Sequence, residues 1–309
     1  MNVLILGTGF GAFHAELYRN NPAVNGITLW GRNSAKLQEL KETLGVSVTT
    51  DLDQALGDDT TDLVDICLPN RLHAEYIGRA LGRGKHVFCE TPLCDTAADA
   101  DAIQRMLDRS DRRVFVNQFI KFFPEYRYMQ QAVETGTYGE LLSLQLWRKT
   151  PAIWGPLGVD TIASNLMIHE LDFVSWLCGE TPRPEAVAVR KNTAECHVQA
   201  NVRCGQTLVS VCADSMMPAG YPFSTGFNAV FHRAAVEFRG QFPDGEPIKH
   251  TTLYTADGCE ALDLSQVHPY QAAIDHVVSR CADTLPSELD ARHALASARL
   301  ALAIREQIA

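Results

Sequence analysis

Two rhythms of apolar residues alternate through the first third of the chain. Short, mostly apolar runs at 3–6, 27–30, 46–48, 63–68, 87–89 and 114–117 read as strands. Between them, segments 12–20, 35–44, 73–83 and 97–109 carry apolar residues at the spacing of amphipathic helices, and Gly84 closes the third. Strands alternating with helices of this length predict βαβ units and a mostly parallel sheet. Past residue 120 or so the pattern changes. A helix is expected over 124–135 and a strand over 141–148, then a loop containing Pro151, Gly155, Pro156 and Gly158, then a helix over 162–177. From 186 to 263 strand follows strand, which predicts an antiparallel-rich sheet, and helices at 270–281 and 289–308 close the chain.

Composition narrows the class. At 309 residues the chain has room for about two domains, and it shows neither an internal repeat nor a low-complexity linker. A net charge of −10 argues against nucleic acid or an anionic membrane as partner. The apolar start 1–6 lacks a basic leader and runs straight into glycines, so it reads as a strand and not a signal peptide. No apolar run is long enough to span a bilayer. The nine cysteines lie mostly in apolar surroundings without a CxxC pair, which predicts buried free thiols in a reducing cytoplasm. Cys196, Cys204 and Cys212 are evenly spaced, but the spacing is not that of a metal site, and no metal is expected.

Gly7-Thr8-Gly9-Phe10-Gly11-Ala12 follows the first strand and opens the first helix, fitting G-x-G-x-x-G/A. In that context the first glycine permits a tight turn and the second lets a pyrophosphate approach the backbone. The small third residue brings helix and strand together, and the helix N-terminus favours the anion. The expected fold is therefore α/β: a dinucleotide-binding domain over 1–118 and, over 119–309, an α+β domain with an antiparallel-rich sheet. The end of the second strand chooses the cofactor. It reads Leu29-Trp30-Gly31-Arg32-Asn33-Ser34, with no carboxylate for a ribose 2′-hydroxyl. Arg32 offers a guanidinium fork to a 2′-phosphate, Asn33 or Ser34 caps the next helix, and Lys36 is near, so NADP(H) is expected over NAD(H).

Cys67-Leu68-Pro69-Asn70-Arg71-Leu72-His73-Ala74-Glu75 and Gly84-Lys85-His86-Val87-Phe88-Cys89-Glu90-Thr91-Pro92-Leu93 come next. With the glycine loop, Phe123-Pro124, 136–140 and 165–172, they resemble the glucose-fructose oxidoreductase / inositol dehydrogenase / MocA family, closely to about residue 180 and loosely beyond. The resemblance implies a Rossmann domain over 1–118, a substrate domain over 119–309 built on a large mixed, mostly antiparallel sheet, and a nicotinamide cofactor across the strand ends. It also implies a small sugar- or polyol-like substrate, and a homo-oligomer (dimer or tetramer) joined through the open face of the C-terminal sheet. It assigns Leu68, Pro69, Asn70, His73, Glu90 and Thr91 to the nicotinamide half. Taken alone, Asn70 is a good helix N-cap and His73 an amphipathic-helix residue.

Two positions depart from the family pattern. The usual corner is Glu-Lys-Pro, where this chain has Glu90-Thr91-Pro92. The usual distal motif has an Asp four residues before a His and another three after, where this chain has Asn165, His169 and Asp172. On a helix Asn165 and His169 share a face, and Asp172 is placed to orient His169. Thr91 cannot give a developing oxyanion a positive charge. A neutral Asn opposite a neutral Thr reads as a joint neutralisation of a buried pair. Three functions fit. The first is an NADP(H)-dependent dehydrogenase or reductase with His169 as the acid-base group and Lys121, Arg148 or Lys149 as candidate replacement charges. The second is an imine reductase, whose protonated C=N needs no lysine. The third is a non-catalytic NADP(H)-binding sensor or partner protein. Trp154, with Trp147, Tyr221 and Phe223, is a candidate for an apolar wall of the substrate site or for core.

Overall fold

The computed structural model describes residues 1–179 and 182–308. Six short strands form a parallel sheet: β1 (Asn2–Leu6), β2 (Gly26–Trp30), β3 (Ser47–Thr49), β4 (Leu63–Ile66), β5 (His86–Cys89) and β6 (Val114–Val116). Their order is β3-β2-β1-β4-β5-β6. All four residues of β4 are buried, as expected of a strand covered on both faces. The order reverses between β1 and β4, and the crevice outside the carboxyl ends of those two strands is where an open α/β sheet binds its ligand.

The crossovers are α1 (Phe10–Arg19), α2 (Ser34–Leu44), α3 (Leu52–Gly57), α4 (His73–Leu81) and α5 (Ala97–Arg109). Their starts are fixed locally. Asn33 Oδ1 accepts from Lys36 N at 3.1 Å, Asp51 Oδ1 from Gln54 N at 3.0 Å and Thr96 Oγ1 from Asp99 N at 3.1 Å. Helix α3 is absent from the sequence-based expectation because six residues are too few to show a helical period.

The chain continues as α6 (Pro124–Thr135), β7 (Leu141–Lys149), a π-wound turn (Ala163–Met167) and α7 (Ile168–Cys178). Then come β8 (Arg183–Lys191), β9 (Cys196–Cys204), β10 (Thr207–Asp214), β11 (Phe223–Phe231), β12 (Ala235–Phe242), β13 (Ile248–Thr255) and β14 (Gly258–Ala261). Helices α8 (Pro269–Cys281) and α9 (Ala291–Ile308) end it. Strands β7 to β14 make one eight-stranded sheet in the order β14-β13-β12-β11-β7-β10-β9-β8. Only β7 and β10 run parallel; every other neighbouring pair is antiparallel. Burial alternates along β9, where Cys196, Val198, Ala200, Val202 and Cys204 turn inward, so one face is packed while the other is open.

The chain divides into two compact units, Met1–Phe122 with His268–Leu295, and Phe123–Val267 with Ala296–Ala309. A single cut near 118 assigns α8 to the second domain, whereas here α8 belongs to the first. Ile274, Val277 and Val278 of α8 lie in one apolar cluster with Ala15, Tyr18 and Phe122. Burying three such side chains is worth on the order of 5–9 kcal/mol in transfer free energy, before ordering entropy. The expectation of nine thiols is also corrected. Cys178 and Cys204 form a disulfide across a Cα separation of 5.5 Å, and the other seven cysteines are free. Register, not sequence spacing, brings those two together.

Candidate dinucleotide and active site

The glycine loop is shaped by contacts that exclude side chains. Gly7 has φ +116°, and a Cβ there would lie 2.4 Å from the Cys67 carbonyl oxygen. Nothing larger lets the ends of β1 and β4 meet. A Cβ at Gly11 would lie 2.8 Å from Ile5 Cγ2, so the close helix–strand approach expected of Ala12 is set by Gly11, one residue earlier. Gly9 differs: a Cβ there meets nothing within 4 Å. It caps α1 without a side-chain partner, beside exposed backbone at the helix N-terminus. This is a cradle of the kind that accepts a pyrophosphate. Thr8, Phe10 and Ala12 complete the loop, Phe10 being 42% exposed.

The end of β2 adjoins this loop, because a Cβ on Gly31 would lie 2.6 Å from Thr8 Cγ2. Arg32, Asn33 and Ser34 follow, all exposed. Asn33 spends its side chain on the cap of α2, while Lys36 pairs with Glu39 at 3.0 Å.

The ends of β4 and β5 are tied together by His73. Its Nδ1 lies 2.9 Å from the Pro92 carbonyl and its Nε2 2.8 Å from the Leu68 carbonyl. The ring is fully buried, so this residue fixes the two corners from inside and does not present itself to a ligand. Leu68 and Pro69 lie on the loop that leaves β4, and Asn70 donates to Asp95 Oδ1 at 3.3 Å. Glu90 is held hard. Its Oε1 accepts from Asn117 Nδ2 and lies 3.1 Å from His14 Nε2, and Thr91 N lies 3.3 Å from Oε2. His14 Nδ1 in turn meets Asp65 Oδ2 at 2.8 Å. The donor atoms of His14, Asp65 and Cys67 all lie within 4.8 Å of one another, but burial drives the Cys67 thiol far up and the His14 nitrogens are engaged by carboxylates. The cluster reads as a hydrogen-bonded assembly.

In the second unit His169 stands in the first turn of α7 and is 9% exposed. Burial, then the nearby Arg148 charge, holds its ring well below the usual range, so it is a neutral imidazole and a proton acceptor. Asp172 is fully buried, and its Oδ1 accepts from Ser297 Oγ at 2.7 Å. Asn165 lies in the π-wound turn and is exposed where His169 is covered. The wider i→i+5 winding changes the offset that an α-helix would give these two residues.

The three candidate substrate contacts have different surroundings. Lys121 is 1% exposed and donates to the Glu288 carbonyl at 2.8 Å. Arg148 meets Glu170 through Nε at 2.8 and 2.9 Å and through a terminal nitrogen at 2.8 Å, with Phe223 over the guanidinium at 5.3 Å. Both cations are engaged inside their own unit, which a sequence cannot show because the partners are distant in the chain. Trp154 is 61% exposed and packs edge-on against Phe223 with centroids 5.1 Å apart.

Residues 1–118 match the model of the oxidoreductase family with an NAD-binding Rossmann fold, GFO_IDH_MocA. That part of the chain is similar to the Gfo/Idh/MocA family. The chain is 30% identical over 138 residues to 4-carboxy-2-hydroxymuconate-6-semialdehyde dehydrogenase of a Sphingobium species, covering 44% of each chain. It is 28% identical over 189 residues to myo-inositol 2-dehydrogenase of Thermotoga maritima, covering 58% of this chain and 55% of that one. It thus spans about half the length of the curated relatives it matches. The fold is like that of a putative NADPH-dependent oxidoreductase from Desulfitobacterium hafniense, with TM-score 0.88 and 15% identity over 100% of this chain and 95% of the other.

Against the Gfo/Idh/MocA pattern, sequence reasoning overlooked His14, Asp65 and Asn117. One signal was available. Asp65 interrupts the apolar run 63–68, and a carboxylate inside a strand buried on both faces requires a partner.

Proposed function

We propose that this protein is an NADP(H)-dependent oxidoreductase that moves a hydride between the nicotinamide and the carbinol or carbonyl carbon of a small sugar- or polyol-like metabolite. The observation that carries this reading is the open cradle at Gly9, set at the switch point of a parallel sheet beside the Glu90 corner. The match of residues 1–118 to the Gfo/Idh/MocA model and the likeness to an inositol dehydrogenase support the substrate class.

Each residue then has a role. The loop from Gly7 to Ala12 holds the pyrophosphate, with Gly9 giving the closest backbone approach. Arg32 forks onto the 2′-phosphate, and Asn33, Ser34 and Lys36 border it. Leu68, Pro69, Asn70, Glu90 and Thr91 form the floor under the nicotinamide, with His73 keeping their backbones in place. When bound, that group supplies the hydride acceptor or donor. His169 takes the hydroxyl proton. Burial and the Arg148 charge keep that ring neutral at rest, so its free nitrogen can receive the proton, and they make the protonated ring quick to pass it on. Asn165 and Trp154 bind substrate, and Asp172 steadies the α7 turn that carries His169. The open face of the eight-stranded sheet, with Leu208 72% exposed, joins copies of the chain, and light scattering on the purified protein checks this.

The test is titration of NADP(H) and NAD(H) into the wild type and Arg32→Ala, followed by turnover with polyols, sugars and cyclic imines. NADP(H) affinity is expected to fall at least tenfold in the variant, with NAD(H) affinity little changed. An unchanged NADP(H) affinity removes the assignment of Arg32. Turnover confined to imines removes the polyol reading, and binding with no turnover leaves a sensor.

A further inference from the structure

The Glu90-Thr91-Pro92 corner has no cationic side chain of its own, yet one buried cation serves it from the first helix. His14 lies in the second turn of α1 and is 0% exposed. Its Nδ1 is 2.8 Å from Asp65 Oδ2 and its Nε2 is 3.1 Å from Glu90 Oε1. A neutral imidazole has one N–H, so its bare nitrogen would face a carboxylate oxygen, lone pair against lone pair. The imidazolium donates to both. Its charge also balances the site: two carboxylates and one cation leave −1, while a neutral ring leaves two uncompensated carboxylates in a buried place.

The remaining groups around the ring do not alter this count. Cys67 Sγ lies 3.4 Å from Nδ1 and is kept a thiol by burial. The Asn117 amide lies 3.5 Å from Nε2, and the Phe88 ring stacks on the imidazole with centroids 5.7 Å apart. From its own helix, Phe10 and Phe13 add only aromatic faces. Burial, the largest single effect, pushes the His14 ring toward its neutral form, but Asp65 and Cys67 together act against it and hold the ring well above the usual range.

We propose that His14 is a positioning residue of the reaction: clamped between Asp65 and Glu90, its imidazolium holds the Glu90 carboxylate in one orientation at the corner. The proposal rests on the reading of that corner as the nicotinamide floor. An ionised Glu90 beside the nicotinamide favours its oxidised, cationic form over the neutral reduced form.

Two measurements test this. The first follows ring-nitrogen NMR shifts in the full chain labelled with ¹⁵N-histidine, from about pH 6 to about pH 9. Glu90→Gln assigns the His14 signals, because those resonances alone must move. Both His14 nitrogens are expected to stay protonated through about pH 8; a neutral tautomer at about pH 7 overturns the proposal. The second measures Kd for NADP⁺ and NADPH over the same range in the wild type, His14→Gln, Glu90→Gln and the double variant. The wild-type preference for NADP⁺ is expected to be flat with pH. In His14→Gln, where the cation that clamps Glu90 is gone, it falls about tenfold. Glu90→Gln lacks the preference at every pH, and the double variant matches it. A wild-type ratio in His14→Gln at every pH, or a further loss in the double variant, overturns the proposal. A protein that binds neither cofactor defeats the reading of the site, while the NMR still decides His14.

Discussion

Replacing Arg148 by Met removes the cation of a pair that the second unit buries almost completely. Side-chain exposure is 6% for Arg148 and 0% for Glu170. The carboxylate then keeps the Thr225 hydroxyl at 3.1 Å and the more distant Tyr126 hydroxyl at 3.5 Å, neither of which carries a charge. Breaking one side of such a pair costs about 3–5 kcal/mol, a large share of the roughly 5–15 kcal/mol that holds a domain together. For a unit of this size that corresponds to a fall of about 6–20 °C in Tm. Removing both charges behaves differently. In Arg148→Met/Glu170→Leu no charge is stranded, and the Thr225 and Tyr126 hydroxyls, 3.0 Å apart, satisfy each other. The double variant is expected to recover more than half of the loss. Urea unfolding followed by tryptophan fluorescence reads this unit, which holds Trp147, Trp154 and Trp176 while Trp30 lies in the other. The reasoning is refuted by an Arg148→Met variant within about 1 kcal/mol of wild type, or by a double variant no more stable than the single.

Other outcomes follow from the same contacts. Gly7→Ala drives a Cβ into the Cys67 carbonyl at a positive φ and is expected to destabilise the first unit by at least about 1–3 kcal/mol in urea unfolding. Gly9→Ala meets no protein atom within 4 Å, so it should cost less stability than Gly7→Ala yet lower NADP(H) affinity at least tenfold by calorimetric titration. The folded protein holds His169 neutral below the pKa of the unfolded chain. The unfolded state therefore binds more protons as pH drops below about 6.5, and stability falls with acidification by up to ~1.4 kcal/mol per pH unit until the folded pKa is reached. Urea stability at about pH 7 and about pH 5 checks this, with His169→Asn expected to lose less than the wild type over that interval.

The parts of the site that were legible in the sequence are those whose signal is local. Gly7, Gly9 and Arg32 stand within one turn of a strand end, and glycines at the turn from a strand into a helix leave backbone N–H groups open to an anion. Glu90 was visible through its place before Pro92 and the family pattern. His73 looked like a surface or ligand-facing residue and proved to be an internal tie, since its partners are carbonyl groups that carry no sequence signature. Arg148 looked like a spare cation until Glu170 was seen beside it, 22 residues away in the chain.

By itself the sequence determined the two rhythms of secondary structure, the glycine cradle and the absence of an acidic residue at the end of β2. These depend on backbone sterics and periodicity, which act over a few residues. Only the tertiary structure decided where charge is balanced. His14 and Asp65 are 51 residues apart and meet at 2.8 Å because β4 pairs beside β1, against which α1 packs. The same is true of Cys178 with Cys204, and of α8 in the first unit. Buried polar groups must find partners wherever the fold puts them, and strand order, not sequence distance, sets which partners are in reach.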